Sequence, residues 1–317
     1  MKSSIGIKSN PLVSIMIPTY NQKDYIEHAI DSALKQDYPN KEIIVSDDAS
    51  SDGTGHLVKE KYGDQIQLHQ HIKNIGRTEN YRFLLNNLSK GEFVLNLDGD
   101  DMLLDPSLIS KSMALIQGNK NVVFCQSRKY RLKSPIKINI FDNHNYELYT
   151  GKEYIYESYA TFRFNHLTTL YNAEIARKID FYRKNIIASD AESLLRLASY
   201  GNVILREERA AFWRDHGSNI SSTKKWEKQF YDATDFVEST FLFLNNKYPE
   251  KTVENRNWKH KLLIQSIFPL LGRNLRRLNL GNVFQIMRAG VKVDSLLFFK
   301  PYVLKYILLK TGISKTT

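Results

Sequence analysis

The chain reads as an α/β protein: a mostly parallel, mixed sheet flanked by helices, with a helical extension at its C-terminal end. Three observations predict this. Apolar runs of strand length alternate with stretches of helical spacing through residue 127. Two of those runs end in clustered carboxylates, and open α/β sheets gather their strand ends into one crevice at the carboxyl edge. Beyond residue 222 the strand signals stop and amphipathic helical spacing takes over.

Taken in order, Val13-Ser14-Ile15-Met16-Ile17 is the first buried strand, stopped by Pro18. Residues 23–36 carry Tyr25, Ile26, Ala29, Ile30, Ala33 and Leu34 at helical spacing. A strand over 42–46, a Ser/Asp/Gly turn over 49–53 and a helix over 54–62 follow, then a short strand over 66–69. Residues 78–88 read as a helix and 92–97 as a strand. Asp105-Pro106 opens the next helix, with a capping acid and then proline at the first position. A strand over 121–127 completes the β-α series, which implies a sheet covered on both faces. Residues 131–150 lack clear periodicity and are expected as a loop over the site. Thereafter the pattern gives a helix over 151–159, a strand over 168–171, a helix over 189–200 and strand-like runs over 202–206 and 209–214.

Of 317 residues, 42% are hydrophobic, enough for a sizeable core and against wholesale disorder. The single cysteine, Cys125, lies in an apolar run, can form no intrachain disulfide and reads as a buried structural thiol. Residues 1–11 lack the apolar stretch of a secretory signal, so a reducing, cytoplasmic compartment is expected. The net charge of +11 is uneven: residues 1–222 hold 28 basic and 27 acidic residues, residues 223–317 hold 17 and 7. A nearly neutral body thus carries a basic tail that meets something anionic. No apolar run approaches the ~18 residues of a membrane span. The run Leu296–Leu309, broken by Lys300, Pro301 and Lys305, suits a helix lying on an anionic membrane surface, the alternative being a helical cap packed on the main domain. No nucleic-acid module accompanies the charge, so a nucleic-acid partner is not expected.

The segment Phe93-Val94-Leu95-Asn96-Leu97-Asp98-Gly99-Asp100-Asp101 concentrates the chemistry. Carboxylates this close repel unless a cation or a shared proton lies between them. Oxygen-only donors on a turn suit Mg²⁺ or Mn²⁺, which often bridge to phosphates. A calcium loop is excluded because Met102 and Leu103 stand where a ligand and a glycine are needed.

Four motifs occur in order: Pro18-Thr19-Tyr20-Asn21, Asp47-Asp48-Ala49-Ser50-Ser51-Asp52-Gly53-Thr54, Asn74-Ile75-Gly76-Arg77 and Leu97-Asp98-Gly99-Asp100-Asp101. Together they resemble the family 2 glycosyltransferases, inverting nucleotide-sugar enzymes with a GT-A fold, in particular the non-processive type of bacterial envelope and capsule polysaccharide synthesis. The resemblance covers about residues 12–220, which implies a GT-A domain over 1–222 with a Rossmann-like sheet, followed by a basic amphipathic helical region over 223–317.

By that resemblance Asp98-Gly99-Asp100 is the metal-binding DXD motif for Mn²⁺ or Mg²⁺. Asp100 is a direct ligand, Asp98 acts directly or through water, and Asp101 reaches the donor sugar or holds the turn. Asp48 receives the uracil imide, Pro18, Tyr20 and Asn21 lie where the family packs base and ribose, and Arg77 contacts the nucleotide or a phosphate. In Ala188-Ser189-Asp190-Ala191-Glu192, Asp190 matches the general base, with Ser189 where glutamate is usual and Glu192 as the rival acid. Trp213-Arg214-Asp215-His216 matches a closing segment whose histidine completes the metal shell or contacts the diphosphate. Asn165-His166 is a candidate lining for the acceptor pocket. The donor is then a nucleotide-diphosphate sugar and the acceptor a saccharide or lipid-linked saccharide, met at the inner face of the cell membrane. The rivals are a sugar-phosphate nucleotidylyltransferase, which needs a Gly-rich basic loop absent after the first strand, and a non-catalytic glycosyltransferase-like binding protein.

Overall fold

The computed structural model describes residues 10–132, 145–161, 164–216 and 225–294. Much of the expected loop over 131–150, the segment Gly217–Ser221 and the expected surface helix Leu296–Leu309 lie outside these residues. The described residues form two compact units. The first comprises residues up to Ile155, 164–185 and Ser189–His216; the second comprises 156–161, Ile186–Ala188 and 225–294.

The first unit is built on a mixed sheet. Its strands are β1 (Val13–Thr19), β2 (Lys41–Asp47), β3 (Gln67–Gln70), β4 (Phe93–Asn96), β5 (Met102–Leu103), β6 (Val122–Leu132), β7 (Tyr146–Tyr149), β8 (Thr169–Asn172) and β9 (Asn202–Arg214). They run in the order β3-β2-β1-β4-β8-β6-β9-β5, with β7 also on β9. The β1–β2, β2–β3, β1–β4 and β6–β9 pairs are parallel, and β8 runs antiparallel between β4 and β6. β1 is buried along its whole length, as a central strand covered on both faces should be, so its sequence is apolar without alternation.

The helices of this unit follow from spacing. α1 (Ile26–Leu34) buries Ile26, Ala29, Ile30 and Ala33, the i, i+3, i+4, i+7 spacing of one helix face. α2 (Thr54–Tyr62) and α4 (Leu108–Gly118) cover the sheet similarly, and α6 (Ala173–Lys178) is capped by the Asn172 side chain, which accepts from the Ile175 N–H at 2.9 Å. Cys125 is fully buried, and burial pushes its thiol up to about 11.

Several expectations are corrected. Pro18 does not stop β1. β4 ends at Asn96 opposite Met16, so the donor missing at Pro18 costs no ladder bond, and the strand continues to Thr19. The helix expected over 78–88 divides into α3 (Arg77–Phe83) and a π turn, Leu84–Leu88. Asp105 does not cap a helix at Pro106. Its carboxylate holds the Ser107 N–H and hydroxyl, and α4 starts at Leu108. Part of the expected loop is strand: Arg131 and Leu132 end β6, and Tyr146–Tyr149 pairs with Arg206–Val203. The two runs over 202–206 and 209–214 are one continuous strand.

The helix α5 (Gly151–Thr161) and α7 (Ser189–Ala198) lie between the sheet strands in sequence. The second unit holds α8 (Trp226–Lys247), α9 (Thr252–Arg276) and α10 (Leu280–Val293). Its core includes Phe230, Val237, Leu244, Trp258, Leu263, Ile267 and Ile286. Polar links tie it together: Tyr156 donates to Asn255 at 2.6 Å, Lys259 pairs with Glu238 at 2.5 Å, and His260 meets Asp294 at 2.7 Å. Among the described residues no helix is long and apolar enough to cross a membrane.

Candidate active site

The site is organised around the carboxyl end of β1. The Gly99 N–H donates to the Pro18 carbonyl at 3.1 Å, and the Asp48 N–H donates to the Thr19 carbonyl at 2.9 Å. The acidic turns after β4 and β2 are thereby fastened to neighbouring residues of one central strand. The loop after β1 is latched to the loop after β2. Asn21, at φ 51°, accepts the Ser51 N–H at 2.9 Å through its side chain, and the Ser50 hydroxyl accepts the Asn21 N–H at 2.8 Å. Asn21 suits this left-handed position because its short amide bonds locally. Tyr20 beside it is 48% exposed, whereas Pro18 is buried.

Both carboxylate oxygens of Asp48 are engaged. The Ile75 N–H donates to one at 2.7 Å and the Gly76 N–H to the other at 2.9 Å. Gly76 sits at φ 89°, ψ 151°, a conformation open essentially to glycine alone, and this aims consecutive amides at one carboxylate. Asp48 thus fixes the loop that leads into α3, while each oxygen retains a lone pair for a further donor.

Asp98, Asp100 and Asp101 place their carboxylate oxygens within 4.8 Å of one another. Gly99 between them is required by space: an added Cβ would lie 2.5 Å from Gln22 Oε1 and 2.9 Å from Thr19 Oγ1. The three acids differ sharply in surroundings. Asp98 accepts from the Tyr81 hydroxyl at 2.8 Å and the Asn96 amide at 3.0 Å, and its other oxygen lies 3.2 Å from His166 Nε2. Burial works against its charge, but His166 and then Tyr81 outweigh it and bring the carboxyl down to about 2. Asp100 moves the other way: burial and the Asp98 charge raise it, despite His216 Nε2 at 2.8 Å. Asp101 is raised well above the usual range by burial and by the Asp100 and Asp98 charges. One of its oxygens takes the Arg214 N–H at 2.8 Å, and the other, Oδ2, is buried without a hydrogen-bond partner among the described residues.

That orphaned oxygen, in a group of three crowded carboxylates, is a donor set for a hard divalent cation. Asp98 enters it already ionised; a cation would displace the proton that crowding favours on its two neighbours. His216 is stacked on Tyr25 with ring centroids 5.2 Å apart, and the Arg214 guanidinium lies 4.8 Å from the Tyr25 ring while donating to the Asp100 carbonyl at 3.0 Å.

Asp190 opens α7 and is half-buried. Its charge raises His166 and strengthens Arg77, so it faces the same centre. Arg77 is 5.5 Å from the Tyr81 ring centroid and holds its proton more firmly than usual. Burial opposes this, but Tyr81, Asp98 and Asp190 outweigh it. The rival acid Glu192 is fully buried in an ion pair, with Arg183 Nη2 at 2.8 Å and Arg196 Nε at 2.9 Å. Its carboxylate serves packing.

The structure therefore brings Asp98, Asp100, Asp101 and His216 together, with Arg77 and Asp190 acting on the same charges and Asp48 one strand away. Sequence reasoning missed Tyr81, Asn96 and Tyr25, and it named His166 only for an acceptor pocket. No local spacing signals that residue 166 folds onto residue 98.

The family model described as Glycosyl transferase family 2 matches residues 14–180, more than half of the chain. A GalNAc(5)-diNAcBac-PP-undecaprenol beta-1,3-glucosyltransferase of Campylobacter jejuni is 40% identical over 116 residues, 35% of this chain and 37% of that protein. The putative teichuronic acid biosynthesis glycosyltransferase TuaG of Bacillus subtilis is 38% identical over 93 residues, 29% of this chain and 36% of that protein. The chain spans less than half the length of the curated relatives it matches, from 15% to 42%. Among solved structures, S. aureus TarS 1-349 in complex with UDP superposes with a TM-score of 0.60 at 19% identity, covering 83% of this chain and 72% of that one. The mannosyltransferase PcManGT from Pyrobaculum calidifontis, in complex with GDP-Man and Mn2+, gives 0.58 at 15% identity, covering 95% and 84%. At these identities the likeness establishes the GT-A fold.

Proposed function

Because this chain belongs to glycosyl transferase family 2, a family of bacterial polysaccharide synthesis among its relatives, we propose that it is a metal-dependent inverting enzyme. It moves one sugar from a nucleotide-diphosphate sugar, most simply a UDP-sugar, to a hydroxyl of a saccharide or lipid-linked saccharide. The observation that carries this reading is the pair of backbone bonds that fasten the Asp48 turn and the Asp98–Asp101 turn to Thr19 and Pro18. One end of the donor can then be recognised where the other end is ionised.

In this reading Asp48 accepts an N–H from the base, and Tyr20, Pro18 and Asn21 form the wall beside it, with Arg77 near the donor's negative charge. Asp98, Asp100 and Asp101, with His216, hold Mn²⁺ or Mg²⁺, which when bound supplies positive charge against the departing diphosphate. His166 and Tyr81 fix Asp98, so the carboxylate does not reorganise during the reaction. Asp190 takes the proton from the acceptor hydroxyl as its oxygen forms the new bond to the anomeric carbon. The bond to the diphosphate breaks on the opposite face, and the nucleoside diphosphate leaves with that electron pair. No described residue hydrogen-bonds the Asp190 carboxylate, which leaves it open to a substrate.

The second unit supports a place at the inner, anionic face of a membrane. Leu280, Phe284, Met287 and Val291 form an exposed apolar stripe along α10, and Arg276, Arg277, Arg288 and Lys292 accompany it. The test of the whole reading is a panel of nucleotide sugars assayed for metal-dependent nucleotide release, with and without acceptor. Asp100→Asn should abolish metal-dependent release, and Asp190→Asn should lower transfer by ~10²–10⁴-fold while donor binding persists. Undiminished transfer in both variants would sink it.

A further inference from the structure

A recess of about 180 Å³, open to solvent, has a lining that includes Ser127, Arg128, Lys129, Phe164, Asn165 and Arg209. It is cationic by construction. Arg128 and Arg209 are register partners on the parallel strands β6 and β9, an arrangement in which like charges repel. Arg128 is neutralised by Glu207 at 2.6 Å. Lys129 and Arg209 make no salt bridge with a described carboxylate and instead lie over aromatic rings, Lys129 at 5.1 Å from Trp213 and Arg209 at 4.9 Å from Tyr130. Two polar atoms of the lining, Ser127 Oγ and Asn165 Oδ1, are buried without a hydrogen-bond partner among the described residues. A solvated surface does not require paired arginines in the same lining as a buried hydroxyl that has no hydrogen-bond partner among the described residues.

The position of the recess narrows the occupant. Asn165 precedes His166, which contacts Asp98, and the Lys129 charge reaches both Asp101 and His166. In the sheet order β2 and β1 lie on one side of β4, whereas β6 and β9 lie on the other. A nucleotide at Asp48 therefore approaches the carboxylate loop from the flank opposite the recess. An anion in the recess belongs to the other substrate. Two cations that make no salt bridge with a described carboxylate, beside a hydroxyl with no hydrogen-bond partner among the described residues, suit the doubly charged, three-oxygen face of a phosphate better than a carboxylate.

We propose that this recess binds a phosphate group carried by the acceptor, next to the hydroxyl that receives the sugar. The proposal rests on the glycosyl-transfer reading and specifies the class of its acceptor: a phosphate-bearing saccharide.

The test uses the full chain, metal-free in EDTA so that the acidic loop cannot bridge to phosphate, with backbone amide shifts of Ser127, Lys129 and Asn165 as the readout. The probes are glucose 1-phosphate, glucose and inorganic phosphate. Glucose 1-phosphate should shift these amides, glucose should not, and Lys129→Gln/Arg209→Gln should weaken the binding at least tenfold. Should the double variant lose its dispersed spectrum, Arg209→Gln alone, at an exposed position, carries the comparison. Equal binding by wild type and variant overturns the proposal. So does inorganic phosphate binding as tightly as glucose 1-phosphate, which marks a site for the free ion. Metal-dependent nucleotide release by the wild type is measured separately. Release without sugar-phosphate binding overturns the recess assignment alone. Binding without release overturns the transfer reading and, with it, the acceptor role.

Discussion

Substituting Gly99 by alanine tests how the acidic loop is held. The Cβ would fall 2.5 Å from Gln22 Oε1, 2.9 Å from Thr19 Oγ1 and 3.0 Å from Ile26 Cδ1, where ordinary contact begins near 3.4 Å. Gln22 would have to retreat by about 0.9 Å. It is not free to do so at no cost, because its Oε1 accepts the Thr19 hydroxyl at 2.9 Å. Overpacking of this kind costs ~1–3 kcal/mol, and loss of a neutral hydrogen bond adds about 1 kcal/mol. A destabilisation of about 2–4 kcal/mol is therefore expected in urea melts. Because the displaced loop carries Asp98 and Asp100, metal-dependent nucleotide release should fall at least tenfold. Gly118→Ala is the control: nothing lies within 4 Å of its Cβ, so stability should hold or rise slightly. A Gly99→Ala protein as stable and as active as Gly118→Ala would refute the idea that this glycine is a packing spacer.

Two further outcomes follow from charges. Glu192→Gln strips the counter-charge from buried Arg196 and should cost ~3–5 kcal/mol in a melt, while the turnover of the remaining folded protein stays near wild type. A selective loss of turnover at full stability would reassign Glu192 to the chemistry. The Asp98–His166 pair gives a pH signature in metal-free protein. Asp98 is depressed, so its contribution is present above the usual carboxylate range and lost as pH falls toward about 2. His166 is raised: burial opposes this, but Asp98 overrides it, so its contribution is present below ordinary histidine pKa values and lost as pH climbs through the raised one. The stability gap between wild type and His166→Gln should accordingly be wider at pH 5 than at pH 9. A gap that does not change with pH would mean the two side chains are not coupled.

Much of this architecture is legible in the sequence because it is local. The continuous apolar runs around Ile15, Val45 and Leu95 announce central parallel strands, and the spacing of Ile26, Ala29, Ile30 and Ala33 announces a buried helix face. Strand ends bearing Asp47-Asp48 and Asp98–Asp101 announce the site. What is not legible depends on contacts made across the chain. Nothing in periodicity reveals that β9 continues through Arg206–Glu208, because the charges that interrupt the apolar run are absorbed by partners: Arg206 pairs with Glu208 and donates to Ser112 at 2.8 Å. Likewise Glu192 and Asp190 look equivalent in sequence. Only Arg183 and Arg196, brought together by the turn before α7, neutralise one and leave the other available. His166 and Tyr81 become site residues solely through tertiary contact with Asp98.

The unbroken run of β9 has a mechanical consequence. Arg209 stands at the recess, and five residues later, roughly 17 Å along an extended strand, Arg214 clasps the backbone of Asp100. Both graduations are marked on a single ruler. Inserting one residue between them would turn every subsequent side chain to the opposite face and carry the clasp away from the carboxylates, so this strand should tolerate changes of composition far better than changes of length.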